Sequence, residues 1–228
     1  MELLVVVHII LSACFGSVEG LVPMTMLKAC LNLLLGSAMS ADPQPNWPSS
    51  FFANFTHEDF PKAGTSNGTG YYALDLGYDN GKGAQAIFRS DGTSTICGKF
   101  HANTPCTQLA VGGQRYLVFP ELGECCTCCS WKQGCGPILP QWTKNARYEG
   151  RQTIGGTVCD AFSIRGLQVD HLMQTTDGEK LCELDNGGVD HMFFDLGTFT
   201  NTVDPALFAL PTGGCSKRCG MAGHCSIL

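Results

Sequence analysis

A dense run of cysteines constrains this chain more than any other feature of its sequence. Four cysteines occur within the five residues 125–129, in the order Cys-Cys-Thr-Cys-Cys, and Cys135 follows shortly after. Neighbouring cysteines rarely bond to each other because the geometry at their Cβ atoms is strained, so each is expected to reach a different part of the protein. The run therefore predicts a cysteine-rich loop at 125–135 that ties several strands together.

The alternative for the same cysteines is a metal site. Their spacings fit zinc, with His101 or His224 as a further ligand. Oxidising compartments retain disulfides and the cytosol does not, so export of the chain would favour disulfides. The N-terminus therefore helps to decide between disulfides and a metal site, because it shows whether the chain is predicted to be exported.

Two apolar runs at the N-terminus predict export. Residues 3–15 are apolar but too short for a comfortable membrane span, and a second run after Met24 combines Lys28, a short apolar core and small residues that end at Ala41. We interpret 1–41 as a signal peptide region, with translation starting at Met24 or Met26 or with both runs removed together. Residues 42–228 then form one mature domain. An uncleaved membrane anchor made of both runs is the alternative.

Removal of residues 1–41 leaves an even number of cysteines, as complete pairing requires, because Cys14 and Cys30 are removed from a total of 14. A second group of cysteines, at 215–225, is expected to tie down the tail. The cysteines predicted to form disulfides are Cys97, Cys106, Cys125, Cys126, Cys128, Cys129, Cys135, Cys159, Cys182, Cys215, Cys219 and Cys225.

Two sequons and the overall charge add to this interpretation. Asn54-Phe-Thr and Asn67-Gly-Thr follow the predicted signal, so Asn54 and Asn67 are expected to carry N-linked glycans.

A net charge of -6 argues against a nucleic-acid partner, whose binding surface needs clustered Lys and Arg. With 44% apolar and 15% charged residues, the chain is rich enough in apolar side chains for a packed core.

Period-two alternation predicts an antiparallel, mainly β fold with one or two short helices. Residues 71–79, 84–89 and 95–100 are interpreted as a three-stranded meander with turns at Asp79-Asn-Gly and Asp91-Gly, and 42–70 as an irregular arm held by its aromatic rings. Further strands are predicted near 115–119, 157–166, 169–176, 180–185 and 189–199.

No catalytic motif stands out. The common nucleophile, zinc-protease and phosphate-loop patterns are absent from the sequence, so we expect a protein that is not an enzyme. Acidic residues cluster at 177–195, and oxygen ligands on loops suit Ca²⁺, which makes Asp185 and Asp190 candidate calcium ligands. A solvated acidic face is the alternative.

Three segments resemble the ependymin-related proteins. They are FFDLGTFTNTVDPALFALPTGGC at 193–215, PNWPSSF at 45–51 and YDNGKGAQAIFRSDG at 78–92. The resemblance implies a secreted glycoprotein with a curved antiparallel sheet, similar to the LolA-type half-barrel, around an apolar pocket. It also implies links to calcium and cell–matrix contact, and, from relatives, lysosomal lipid binding and dimerisation. The Cys-Cys-Thr-Cys-Cys run departs from the family pattern.

The leading hypothesis is a secreted or lysosomal, disulfide-rich glycoprotein that binds a lipid-like ligand on the concave face of its sheet. The alternatives are a calcium-dependent matrix or adhesion protein and a secreted hydrolase. A homodimer is a further expectation. Apolar side chains at alternate strand positions are expected to line the pocket: Phe88, Leu117, Phe162, Ile164, Met192 and Phe194.

Overall fold

The computed structural model describes residues 42–59, 66–90, 97–166, 168–188 and 190–220, with the backbone alone at 59, 66 and 67. The predicted signal region, both candidate start methionines, His224 and Cys225 lie outside these ranges. Among the described residues, no helix is both long and apolar enough to cross a membrane.

Eleven antiparallel strands of the described residues form one curved sheet, so the predicted fold class is confirmed. Short 3-10 helices and one helical turn, Tyr78–Gly81, join or flank them. The first meander contains β1 Ser50–Asp59, β2 Ser66–Asp75, β3 Ala84–Arg89, β4 Cys106–Val111, β5 Gln114–Phe119 and β6 Glu124–Ser130. The second contains β7 Arg147–Ile154, β8 Thr157–Arg165, β9 Val169–Thr175, β10 Leu181–Asn186 and β11 Asp190–Phe194.

The strand order is β6-β5-β4-β3-β2-β1-β11-β10-β9-β8-β7. Each meander therefore runs in chain order, and the two meet at the centre of the sheet, where β1 pairs with β11. The turn between β2 and β3 places Asp79 and Asn80 at positive φ, as the predicted Asp-Asn-Gly turn requires. Because β6 and β7 lie at opposite edges, residues 131–146 must cross the whole sheet.

The two faces of the sheet differ in burial. Successive side chains of a strand point to opposite faces, and on β1 Phe51, Ala53 and Phe55 are buried. We call their side the core face. Asn54 and Thr56 are exposed on the opposite side, which we call the groove face.

The crossing segment 131–146 packs on the core face. Trp142 lies edge-on to Trp47, with ring centroids 5.3 Å apart. The Trp47 indole donates a hydrogen bond to the Ile138 carbonyl at 3.1 Å, and the Ile138 amide donates to the Gln85 side chain at 2.8 Å. The fold thus covers its own core face, which is filled by side chains that include Phe51, Tyr72, Leu184 and Met192.

A buried ion pair shows that the sheet curves toward the core face. The Arg89 guanidinium on β3 donates to the Asp190 carboxylate on β11, and β2 and β1 lie between them. Three strand spacings on a flat sheet measure about 14 Å. The register places Phe194, not Asp190, level with Arg89, which adds about 13 Å along the strand, so on a flat sheet the two side chains could not meet. Gly70 on the intervening β2 leaves room, because a Cβ there would lie 1.9 Å from the Phe88 carbonyl oxygen and 2.7 Å from the Phe55 ring.

The prediction of disulfides is confirmed. The described cysteines form the pairs Cys97–Cys106, Cys125–Cys215, Cys126–Cys219, Cys129–Cys135 and Cys159–Cys182. Cys128 is also disulfide-bonded. The adjacent residues Cys125 and Cys126 hold two points of one tail segment, and the Thr127 amide donates to the Lys217 carbonyl between them.

Three local interpretations differ from the structure. Residues 50–59, predicted to lie in an irregular arm, form β1, a central strand. The described part of the predicted strand 95–100 contains a 3-10 helix, Cys97–Lys99, and β4 takes the third place in the meander. The first residues of the expected loop 125–135 belong to the edge strand β6, whose outer side is paired with the tail at Arg218.

Candidate functional site

A groove of about 840 Å³ lies on the groove face at the centre of the sheet. Strands β1, β2, β3 and β11 contribute one side, and the turn between β7 and β8 contributes the other. Its floor is apolar and only partly buried, with Tyr71, Phe88, Phe193, Ile154 and Leu196. Its rim is polar: Asn54, Thr56, Thr69, Ser90, Thr157 and Asp195.

Strand register places the aromatic floor. Tyr71 and Phe88 are direct register partners on β2 and β3, and their rings stack with centroids 5.3 Å apart. Phe193 is the register partner of Thr56 on β1. Aromatic pairs across neighbouring strands stabilise a sheet by up to about 1 kcal/mol relative to alanine pairs. The Tyr71–Phe88 pair therefore helps to hold the aromatic floor in position.

The polar groups of the site are tied to the strands. Tyr71 hydrogen-bonds with Thr107; burial raises the pKa of the Tyr71 hydroxyl, and this bond offsets part of the rise. The hydroxyls of Thr69 and Ser90 lie 2.8 Å apart on the rim, and the Ser90 hydroxyl also donates to the Thr69 carbonyl at 2.9 Å. Tyr71 is therefore neutral at physiological pH and the rim is preorganised.

A disulfide forms part of the wall opposite β2. Cys182 lines the groove and is bonded to Cys159 on β8. Ile154 packs against the small cluster that contains both cysteines and Met173. The bond joins β8 to β10 across β9, so it fixes the β7–β8 hairpin relative to the groove.

The structure divides the residues predicted to line a pocket. Phe88 and Phe194 line the groove. Leu117, Phe162, Ile164 and Met192 are buried on the core face, and none of these four lines the groove. Period-two alternation identified apolar positions, but it did not specify on which face a space would remain.

Asp185 and Asp190, the predicted calcium ligands, are not brought together. Asp190 pairs with Arg89 on the core face. Asp185 lies on the groove face, where its carboxylate accepts from the Gly188 amide at 2.6 Å and lies 3.2 Å from His191 Nε2. Among the described residues, no group of three or more His, Cys, Asp or Glu side chains is placed to hold a metal ion. Calcium binding stays a prediction.

The predicted glycosylation sites lie on neighbouring strands. Asn54, on β1, is exposed at the groove rim. Asn67, on β2, is the register partner of Glu58, and only its backbone is described. The sequon threonines Thr56 and Thr69 are register partners of each other, and both line the groove.

Sequence reasoning missed Tyr71, Phe193, Ile154, Leu196 and Asp195 as groove residues. A usable signal was present, because adjacent aromatic pairs occur at 51–52, 71–72 and 193–194 on three neighbouring strands. Two consecutive aromatics in a strand place one ring on each face. Three such pairs side by side indicate a sheet that is apolar on both faces.

Fold and site together define a class: a disulfide-bonded protein with one curved antiparallel sheet, a filled core face and an aromatic groove on the opposite face. Neither a family model nor a curated protein matches this chain. The resemblance to the ependymin-related proteins therefore stays a prediction.

Solved structures show a distant likeness of fold. An uncharacterised conserved protein from Thermus thermophilus is 10% identical, with a TM-score of 0.46 over 75% of this chain and 91% of that chain. A LolA superfamily protein from Nitrosomonas europaea is 8% identical, with a TM-score of 0.33 over 72% and 92%. The MucA/MucB complex of Pseudomonas aeruginosa contains a chain that is 13% identical, with a TM-score of 0.37 over 70% of this chain and 55% of that chain. Similarities this low say nothing about what this chain binds.

Proposed function

We propose that this chain is a binding protein, not an enzyme, and that it holds a lipid-like apolar ligand in the groove. One observation carries the proposal: Tyr71, Phe88 and Phe193 form a partly exposed aromatic floor on a sheet whose core face is already filled. Apolar surface left in water costs about 25 cal/mol per Å². Tyr71 also packs against the buried cluster around Leu109 and Phe208, but all three rings stay partly exposed. A ligand would cover them.

The size and lining of the groove support a small organic ligand. A volume of about 840 Å³ lies within the range of roughly 300–1,000 Å³ found for small-molecule sites. Such sites combine apolar walls with a few fixed polar groups, and here the rim hydroxyls of Thr56, Thr69 and Ser90 take that position. We infer an apolar body on the floor and a polar end at the rim.

The disulfides support a location in an oxidising compartment. Five pairs among the described cysteines would not persist in the reducing cytosol. We place the protein outside the cell or in a lysosome-like lumen. A matrix partner and a homodimer stay predictions.

Ligand binding is tested on protein purified from a eukaryotic secretory host. Organic extraction followed by mass spectrometry would identify a co-purified lipid. Titration with N-phenyl-1-naphthylamine, an uncharged probe that fluoresces in apolar surroundings, would measure the groove directly. Leu196→Ala removes a floor side chain, and Leu122→Ala, at a leucine that is 46% exposed and does not line the groove, is the matched control.

We expect saturable probe binding that Leu196→Ala weakens several-fold and Leu122→Ala leaves unchanged. A displaced or extracted lipid would then name the ligand. The proposal would be contradicted if protein with its disulfides intact showed no saturable probe binding and yielded no extracted lipid.

A further inference from the structure

The sequon that starts at Asn54 is built into the groove. Asn54 and Thr56, its acceptor and its hydroxyl residue, both line the groove, and both side chains are exposed. The residue between them, Phe55, is buried and points to the core face, and only its edge borders the groove. The strand thus presents the two polar sequon residues to the groove and keeps the apolar one inside.

Register shows what surrounds the acceptor. Asn54 is the partner of Tyr71 on β2, and Thr56 is the partner of Phe193 on β11. The backbone amide of Asn54 donates to the Thr198 hydroxyl at 3.0 Å, and the backbone carbonyl of Asn54 accepts from the Asp195 backbone amide at 2.8 Å. The backbone of Asn54 is therefore fixed, and any group attached to its side chain begins beside the aromatic floor.

We propose that Asn54 carries an N-linked glycan whose first sugars lie over Tyr71, Phe88 and Phe193 and form the outer wall of the groove. In the modification, the side-chain amide nitrogen of Asn54 attacks the anomeric carbon of an oligosaccharide carried on a lipid pyrophosphate. A nitrogen–carbon bond forms, the bond from that carbon to the pyrophosphate oxygen breaks, and one amide proton is released. The lipid pyrophosphate is the leaving group.

The chemistry of the groove suits a sugar that is already attached. The faces of a pyranose ring carry C–H groups that pack on the electron-rich faces of aromatic rings, and three rings are available. The hydroxyls of Thr69 and Ser90 can hydrogen-bond with sugar hydroxyls at the rim. Covalent attachment gives a high effective concentration, so even weak contacts keep the sugar over the floor.

This inference rests in part on the proposed function, because a wall of sugar matters most where a ligand is held beneath it. A ligand on the floor would displace the sugars from the rings, and the sugars would then cover the side of the ligand that faces water and slow its release. Chain without the glycan would hold the same floor in a more open groove.

The test compares Thr56→Ala with Thr56→Ser, both secreted from the same eukaryotic host. Serine keeps the sequon and alanine removes it, so the pair differs in the glycan while Asn54 stays in place. Glycopeptide mass spectrometry measures occupancy. Hydroxyl-radical footprinting measures how much of Tyr71, Phe88 and Phe193 is exposed, without any ligand. Stopped-flow release of N-phenyl-1-naphthylamine measures the effect on the groove.

We expect a glycan on Asn54 in the wild type and in Thr56→Ser, several-fold faster oxidation of the three rings in Thr56→Ala, and several-fold faster probe release. Asn54→Gln, which keeps the Thr56 hydroxyl on the rim, should give the same footprint and the same probe release as Thr56→Ala. An unmodified Asn54 in the secreted wild type, or equal footprints in the paired variants, would overturn the inference. If the footprints differ but neither lipid nor probe binds, the proposed function fails and the glycan wall stands.

Discussion

At the scale of single residues, Tyr71 and Tyr72 are consecutive on β2, yet their hydroxyls have opposite surroundings. Tyr71 faces the groove and hydrogen-bonds with Thr107. Tyr72 is fully buried on the core face, and its hydroxyl has no hydrogen-bond partner among the described residues. A buried polar group left unsatisfied costs about 1–3 kcal/mol, so Tyr72 contributes through its ring and not through its oxygen.

Phenylalanine substitutions should therefore act in opposite directions at these two positions. We expect Tyr72→Phe to raise the free energy of unfolding by about 1 kcal/mol, and Tyr71→Phe to lower it by a similar amount through loss of the bond to Thr107. Chemical denaturation at neutral pH with disulfides intact measures both. A loss of stability in Tyr72→Phe would show that the buried hydroxyl has a partner in solution.

The same variants give an alkaline test. Burial raises the pKa of the Tyr72 hydroxyl far above its ordinary value of 10.0, and the charges of Arg115 and Arg89 offset only part of the rise. The unfolded chain then releases this proton first, so stability falls as pH rises above about 10. The fall should be shallower in Tyr72→Phe than in the wild type, and an equal slope would contradict the assignment.

At the scale of elements, alternation and turn signals together located much of β2, β3, β5 and the strands from β8 to β11. They missed β1, since Asn54 and Thr56 on the groove face made residues 42–70 look like a loop. They also missed β6, because a run of cysteines has no period and its pairing with β5 and the tail is non-local. The groove could not be predicted, because its walls come from strands that are distant in sequence.

The Arg89–Asp190 pair is the element-scale contact that braces the centre of the sheet. Removing one member of a buried pair leaves an uncompensated charge, so Asp190→Asn should lower the free energy of unfolding by about 3 kcal/mol. Replacing both residues, as in Arg89→Met with Asp190→Leu, should cost less than Asp190→Asn alone, since no charge is left buried. In a double-mutant cycle of Arg89→Met and Asp190→Leu measured by denaturation, a loss in the double variant equal to the sum of the two single losses would mean that the two residues are not coupled.

The Cys159–Cys182 bond links element packing to the site. It closes a loop with a sequence separation of 23 residues, and replacing both cysteines by serine should lower the free energy of unfolding by about 3 kcal/mol in the chain-entropy model. Because Cys182 lines the groove, probe affinity should also fall. Serines at Cys97 and Cys106, which do not line the groove, should leave affinity unchanged. Equal probe affinities in the two double variants would show that the Cys159–Cys182 disulfide does not support binding in the groove.

At the scale of the whole molecule, the strand order explains why the site lies where it does. The two meanders end at opposite edges, so the connection between β6 and β7 crosses the core face and covers it with Ile138 and Trp142. The segment Pro205–Phe208 covers a second apolar cluster, where Phe208 is buried against Leu109. The groove lies beside that cluster, where the described segments leave the aromatic floor partly exposed.

A ligand in the groove should stabilise the entire sheet, because the groove joins strands of both meanders. At a free concentration of about a hundred times its Kd, a ligand that binds only the folded state adds about 2.7 kcal/mol to the free energy of unfolding. For a domain of this size we expect the Tm to rise by about 8 °C, measured by calorimetry with N-phenyl-1-naphthylamine or the extracted lipid. Phe88→Ala should abolish most of this rise, each protein being compared with its own ligand-free Tm. A full rise in Phe88→Ala would place the ligand elsewhere on the molecule, because Phe88 forms part of the aromatic floor.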